Sequence, residues 1–309
     1  MKLLVIGDVV GEAGIDALHG LLRRIKRDTG ADFVIVNGEN AAGNGVLPRQ
    51  ADDIFAAGAD VITLGNHVFG KQQIVPVTYM NSSAALKAFC GRHGGIVCTS
   101  SNAHAVLEWA FARGKRVLFF PDQHLGRNTA LAMGMSLDQM PVWNPYKPAG
   151  GAEDPSVYAD AKMILWKGFC SVHQRFTVDQ IERARKAYPG VKVIVHPECS
   201  MDVVNAADGT GSTAYIVKEI ANAPAGSAVA VGTEINLVNR LAAQYPDKTV
   251  FCLDPVVCPC STMYRIHPAY LAWALENIEQ GNIVNRITVD EDTARDAKIA
   301  LQRMLEVHP

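Results

Sequence analysis

Residues 191–234 read VKVIVHPECSMDVVNAADGTGSTAYIVKEIANAPAGSAVAVGTE. An apolar run (Val193–Val195) stops at His196-Pro197-Glu198, and a second (Ala228–Val231) stops at Gly232-Thr233-Glu234. Between them Gly211-Ser212-Thr213 opens an amphipathic stretch, Ala214–Ala221. Short β-branched runs bounded by polar turns and separated by helical periodicity are the mark of parallel α/β structure. The same rhythm runs outward in both directions. Further strands are expected at Leu3–Ile6, Phe33–Val36, Val61–Leu64, Ile96–Cys98, Val117–Phe120, Met163–Leu165 and Thr249–Cys252. Helices are expected at Ala13–Arg27, Ala84–Arg92, Val106–Arg113, Val178–Tyr188, Ile235–Gln244 and Thr293–Val307. Residues 141–162, with four prolines and an adjacent glycine pair, read as a connection, and Gly65–Pro76 as a polar junction. The expected fold is α/β: consecutive three-layer αβα units with parallel sheets around a central site. Ligands then belong at the carboxyl ends of strands.

Composition narrows the classes of function. The 309 residues are 49% hydrophobic and 19% charged, which describes a globular chain. A net charge of −2 gives no reason to expect nucleic acid or an anionic membrane as partner. The opening MKLLVIGDVVG reads as a buried strand rather than a signal peptide. No run approaches the roughly 18 apolar residues of a membrane span. Seven cysteines, an odd number, favour a reduced cytoplasmic protein with buried or metal-binding thiols over a disulfide framework.

All seven cysteines lie at position 90 or later, whereas Asp8, Glu39-Asn40 and Asn66-His67 cluster before position 70. The early set stands at three successive strand ends and suits hard divalent cations, of the kind that activate water against a phosphoryl group. Turn chemistry explains the same residues without a metal. Single, widely spaced cysteines suit a cluster shared between units better than a zinc ribbon. Helix starts rich in Gly, Ser and Thr suit phosphate or carboxylate, although each is also an ordinary cap.

Two family resemblances overlay this reading. GDVVGEAG (7–14), VIVNGENAAGNG (34–45) and DVITLGNHVF (60–69) resemble the start of calcineurin-like metallophosphoesterases, in their bacterial cyclic-nucleotide phosphodiesterase branch. That resemblance implies two divalent cations, such as manganese or iron, on Asp8, Glu39, Asn40 and Asn66, with His67 assisting the leaving group. TYMNSSAALKAF (78–89), LWKGFCSVHQRFT (165–177), VIVHPECS (193–200), VGTEINLVNRL (231–241) and CPCSTMYRIH (258–267) resemble quinolinate synthase, from about residue 77 to the end.

The second resemblance implies three αβα units, each giving one cysteine to a [4Fe–4S] cluster. It implies condensation of iminoaspartate with dihydroxyacetone phosphate in NAD biosynthesis, with a partner enzyme supplying iminoaspartate. By motif, Cys170 and Cys260 are cluster ligands, with Cys258 as the alternative to Cys260. Tyr79, Asn81, Ser101 and Asn102 contact substrate, and Ser212 and Thr213 hold phosphate or carboxylate. His173 lies near the cluster, while His196 and Glu198 orient carboxylates and move protons. Burial is expected to tune Glu198 towards neutral pH. The units divide as 1–76, 77–160 and 161–309. Residues 1–76 hold no cysteine, so the first cluster ligand is missing.

Overall fold

The structure is a computed structural model. It describes residues 1–42, 46–64, 74–152, 154, 156–254, 256 and 260–307. The chain divides into two compact units, residues 1–75 with 113–116, and residues 76–112 with 117–309. The junction expected at Gly65–Pro76 has residues 65–73 outside the described set.

In the first unit β1 (Leu3–Asp8), α1 (Gly11–Thr29), β2 (Phe33–Asn37), α2 (Pro48–Ala57) and β3 (Val61–Thr63) build a parallel sheet in the order β1-β2-β3. Helix α1 buries Ile15, Leu18 and Leu22, the i, i+3, i+7 stripe that its sequence carries. It stops at Gly30, whose φ of 65° suits a residue without Cβ.

The second unit opens with β4 (Ile74–Tyr79), α3 (Ala84–Arg92), β5 (Ile96–Cys98), α4 (Ala103–Phe111), β6 (Arg116–Phe120) and α5 (Gln123–Ala132). Then come β7 (Val142–Trp143), α6 (Ser156–Asp160) and β8 (Met163–Trp166), closing a sheet of order β5-β4-β6-β8-β7. The stretch expected as a plain connection, 141–162, thus carries an edge strand and a short helix. Strand β4 was hidden by Pro76, a residue that cannot donate to a ladder. Its register with β5 begins one residue later, at Val77, which is how the proline is accommodated.

The chain continues as α7 (Val178–Ala187), β9 (Lys192–Val195), α8 (Met201–Ala206), β10 (Gly209–Thr210), α9 (Thr213–Asn222), β11 (Ala228–Gly232), α10 (Ile235–Gln244) and β12 (Thr249–Cys252). These strands form the order β10-β9-β11-β12, and every described pairing is parallel. Alternate residues of β9 face opposite ways. Val193 and Val195 join Phe176, Ile181 and Val203 on one face, while Ile194 joins Ile216, Ile220, Val238 and Leu241 on the other. Covering both faces explains why β11 is an unbroken apolar run. Helix α11 (Pro268–Glu279) follows, and α12 (Glu291–Glu306) packs on α3. Gly91 of α3 lets that packing happen, since a Cβ there would overlap the backbone carbonyl of Asp296.

Both sheets of the second unit change direction after their first crossover. The chain goes from β4 to its neighbour β5, then back across to β6. It goes from β9 to β10, then back across to β11. Such switch points open a crevice beyond the carboxyl ends of the strands. Those ends carry Tyr79, Asp122, His196 and Thr233. Among the described residues no helix is long and apolar enough to cross a membrane.

Candidate active site

A cavity of about 820 Å³ opens at these strand ends, within the second unit. Tyr79, Asn81, Cys170, His173, Glu198 and Cys260, all singled out from sequence, line it together. Glu198 lies at its centre. Its Oε2 stands 3.3 Å from Nδ1 of His173, 3.2 Å from Nδ1 of His196 and 3.4 Å from the Tyr79 hydroxyl, which donates to it. The two imidazoles stack with centroids 4.5 Å apart. Nδ1 of His196 also lies 3.3 Å from the Glu198 amide N–H. Protonated, that nitrogen donates to the carboxylate; unprotonated, it accepts the amide.

The turn that presents His196 and Glu198 is pinned from α5. Asn128 Nδ2 donates to the carbonyls of Pro197 and Cys199, both at 2.8 Å, inside the core. Asn128→Ala leaves two buried carbonyls without a donor and is expected to cost about 2–4 kcal/mol. Urea denaturation measures this; a loss under ~0.5 kcal/mol would mean that the turn holds itself.

Glu198 does not behave as expected. Burial alone would raise its pKa, but His173 and His196 outweigh burial and hold it down to about 2. It is a fixed carboxylate. Burial likewise opposes charge on His173, yet Cys170 and Glu198 push it up to about 9. Burial lowers His196. The carboxyl moved towards neutrality is Asp122, raised to about 7 by burial and by the charge of Glu198. Asp122 lines the same cavity. It caps α5 through Oδ1, which accepts the His124 and Leu125 N–H groups, and its Oδ2 accepts the Cys170 N–H at 2.9 Å. The sequence signal, an Asp between a strand end and a helix, reads as a cap alone. Thr233 and Glu234, which the sequence marks only as a strand end and helix start, also reach the site. The Thr233 hydroxyl lies 3.2 Å from Nε2 of His173, and Glu234 lines the cavity while capping α10.

Several predicted residues stand elsewhere. Asn102 accepts the Thr99 N–H and hydroxyl at 2.7 and 2.9 Å, and Ser101 bonds the Thr99 hydroxyl; neither lines the cavity. Ser212 caps α9 through the Tyr215 N–H, and Thr213 begins that helix. In the first unit Asn40 donates to both carboxylate oxygens of Asp8, at 2.9 and 2.8 Å, and Glu39 follows the end of β2. Asn66, His67 and Cys258 lie outside the described residues.

The quinolinate synthetase A protein family model matches residues 53–306. The chain belongs to the quinolinate synthase family. It is 68% identical to the quinolinate synthase of Corynebacterium glutamicum over 242 residues, covering 78% of this chain and 61% of that protein. It is 51% identical to that of Rhodopirellula baltica over 293 residues, covering 94% and 74%. With the Geobacillus kaustophilus quinolinate synthase the identity is 56% over 237 residues, covering 76% and 64%. The chain thus spans 61% of the length of the first of these relatives. A YmdB-like protein model matches residues 4–87. A solved structure of a novel phosphatase from Mycoplasma pneumoniae aligns over 80% of this chain and 60% of that one, at 14% identity and a TM-score of 0.23. The family is consistent with a metal cofactor, and Cys170, His173 and Glu198 are placed to meet one.

A [4Fe–4S] cluster is only partly provided for. Cys170 and Cys260 offer thiols to the cavity. Cys90, Cys98 and Cys199 are fully buried, and burial raises the pKa of each thiol. Cys252 is half-buried at the end of β12. Among the described residues no third thiol lines the cavity, so these residues do not complete a cluster by themselves.

Proposed function

We propose that this chain is a quinolinate synthase-type enzyme, condensing iminoaspartate with dihydroxyacetone phosphate and releasing phosphate and water. The observation that carries this reading is the convergence of Tyr79, Asn81, Cys170, His173, Glu198 and Cys260 on one cavity of about 820 Å³. That volume suits small ligands. A [4Fe–4S] cluster supplies Lewis acidity at an open iron. In this reading Cys170 and Cys260 hold it, and the remaining thiolate comes from Cys258 or from an added thiol. Burial, reinforced by the Glu198 charge, raises the Tyr79 pKa and keeps its phenol protonated, as a donor to a substrate carboxylate or carbonyl. Asn81 and Ser82 hold polar substrate atoms, and Lys87 stiffens their loop through the carbonyls of Met80 and Ser82, at 2.9 and 2.6 Å. Ser101, Asn102, Ser212 and Thr213 act in this reading by shaping the neighbouring turns.

In this reading the units are 1–76, 77–160 and 161–309, with β8 (Met163–Trp166) of the last pairing into the sheet of the middle one. The six described cysteines are all free thiols, in keeping with a reducing cytoplasm; in this reading a partner enzyme supplies iminoaspartate. Anaerobic reconstitution tests the reading. A brown protein with about four irons per chain that forms quinolinate from the two substrates is expected. Colourless protein without iron uptake would remove it.

A second reading has its own observation, the Asp8–Asn40 pairing at adjacent strand ends. Here the first unit is a metal-dependent phosphodiesterase using Asp8, Glu39, Asn40, Asn66 and His67. Manganese-dependent hydrolysis of a chromogenic phosphodiester, lost in Asp8→Ala, is the expected result. Protein that binds no manganese would end this reading.

A further inference from the structure

Cys170 and Cys260 reach the cavity from two segments far apart in the chain. The first is the stretch after β8, which closes in a tight turn at His173–Arg175. The second leaves β12 through Leu253 and Asp254 and arrives at Cys260. Both cysteines pack against one buried cluster that includes Val172, Phe176, Val195 and Leu253. Apolar packing keeps the segments together but is non-directional, so it fixes no distance between the thiols.

Directional contacts hold the first segment. The Cys170 N–H donates to Asp122 at 2.9 Å, Oε1 of Gln174 lies 2.8 Å from Nε2 of His124, and Nε2 of His173 lies 3.2 Å from the Thr233 hydroxyl. Arg175, the last residue of the turn, carries the link onward. Its Nε donates to Oδ2 of Asp254 at 2.8 Å. Oδ1 of the same carboxylate accepts the Val256 N–H at 3.0 Å. One carboxylate is thus fastened both to the Cys170 turn and to the chain that runs on to Cys260. The Asp254 side chain is only 9% exposed, against 40% for Arg175. A carboxylate so buried needs its cation. Without it the charge is left unpaired, and moving the segment out to water relieves that cost.

We propose that Arg175 is a positioning residue: through its ion pair with Asp254 it sets the separation of Cys170 and Cys260. Neither Arg175 nor Asp254 lines the cavity, so both act through the two cysteine segments. The inference rests on the quinolinate synthase reading for what the thiols hold, but not for how they are held.

The test uses the full chain, freed of metal under anaerobic conditions, and a bis-maleimide that bridges two thiols. The readout is the rate at which the Cys170–Cys260 bridge forms, followed by peptide mass. The unaltered chain is expected to bridge readily. Arg175→Gln slows bridging about tenfold, a loss of effective concentration between the two thiols. Asp254→Asn, nearly isosteric, is slower than the unaltered chain but faster than Arg175→Gln, because the link is broken without leaving a buried charge. The double variant returns to the Asp254→Asn rate. That recovery separates a positioning ion pair from general loss of packing, which a second substitution would only worsen. The proposal is overturned if the unaltered chain forms no bridge, if Arg175→Gln or Asp254→Asn bridges at the unaltered rate, or if the double variant is as slow as Arg175→Gln. Should Arg175→Gln fail to fold, the Asp254→Asn rate decides. Iron uptake on reconstitution is measured beside it and should fall and recover in the same order. An unaltered chain that bridges but takes up no iron would remove the quinolinate synthase reading and leave the role of Arg175 standing.

Discussion

In the metal-free chain, Glu198→Gln is expected to lower stability by about 3 kcal/mol near pH 6 and by far less near pH 10. The side chains of His173 and Glu198 are only 9% and 6% exposed, so solvent does not screen the pair. His173 is raised from 6.5 to about 9. Its contribution is fully present below 6.5 and is lost as pH rises through 9. Glu198 is lowered from 4.5 to about 2. Its contribution is present above 4.5 and is lost as pH falls through 2. The pair therefore stabilises fully between pH 4.5 and 6.5. A shift of that size on His173 corresponds to about 3 kcal/mol, and the imidazole sheds its proton once its partner is gone, which limits the loss. Asp122, raised from 3.8 to about 7, slopes in the same sense as His173: its contribution is present below 3.8 and is lost as pH rises through 7. Removing the Glu198 charge relieves part of that slope. Urea midpoints of both proteins across this pH range are the measurement. Curves that stay parallel from pH 4 to 10 would show that the pair contributes nothing.

Much of this was legible in the chain. Strand ends could be placed because β-branched runs stop at polar dipeptides, and Ile96–Cys98 and Thr249–Cys252 appear as read. Tyr79, Cys170, His173 and Glu198 follow such runs, and a parallel sheet sends all such ends to one side. Other residues were illegible for physical reasons. A proline at 76 disguised β4, because ladder register is a pairwise property. Asn102 and Ser212 look like ligand groups, but their oxygens accept local N–H groups first, Asn102 that of Thr99 before α4 and Ser212 that of Tyr215 as the cap of α9. The direction of the Glu198 shift depends on His173, 25 positions earlier in the chain, and burial was the only effect that local sequence exposed. Asp122 failed for the converse reason: its cap role is local, and its place beside Glu198 is set by two separate sheets.

Asp122→Asn is expected to lower turnover of reconstituted enzyme about 10²–10⁴-fold, the range of a general acid–base group, with little change in KM. The proposed condensation would have to move protons at carbon and at the leaving hydroxyl. Glu198, held down to about 2, cannot carry a proton near neutrality. Asp122 can, because burial and the Glu198 charge bring it to about 7. Two carboxyls of one cavity pushed apart in this way take different roles: Glu198 orients and charges the site, Asp122 exchanges protons. The side chain is also structural, since it holds the Cys170 amide and caps α5. A readout that structure alone would not move is therefore needed. In metal-free protein the carboxyl infrared band of Asp122, identified by its loss in Asp122→Asn, should titrate near pH 7. In Glu198→Gln its midpoint should move towards the ordinary carboxylate range, because the repelling charge is gone. A midpoint that stays in place, or Asp122→Asn protein that turns over at the unaltered rate, would leave Asp122 as a cap and nothing more.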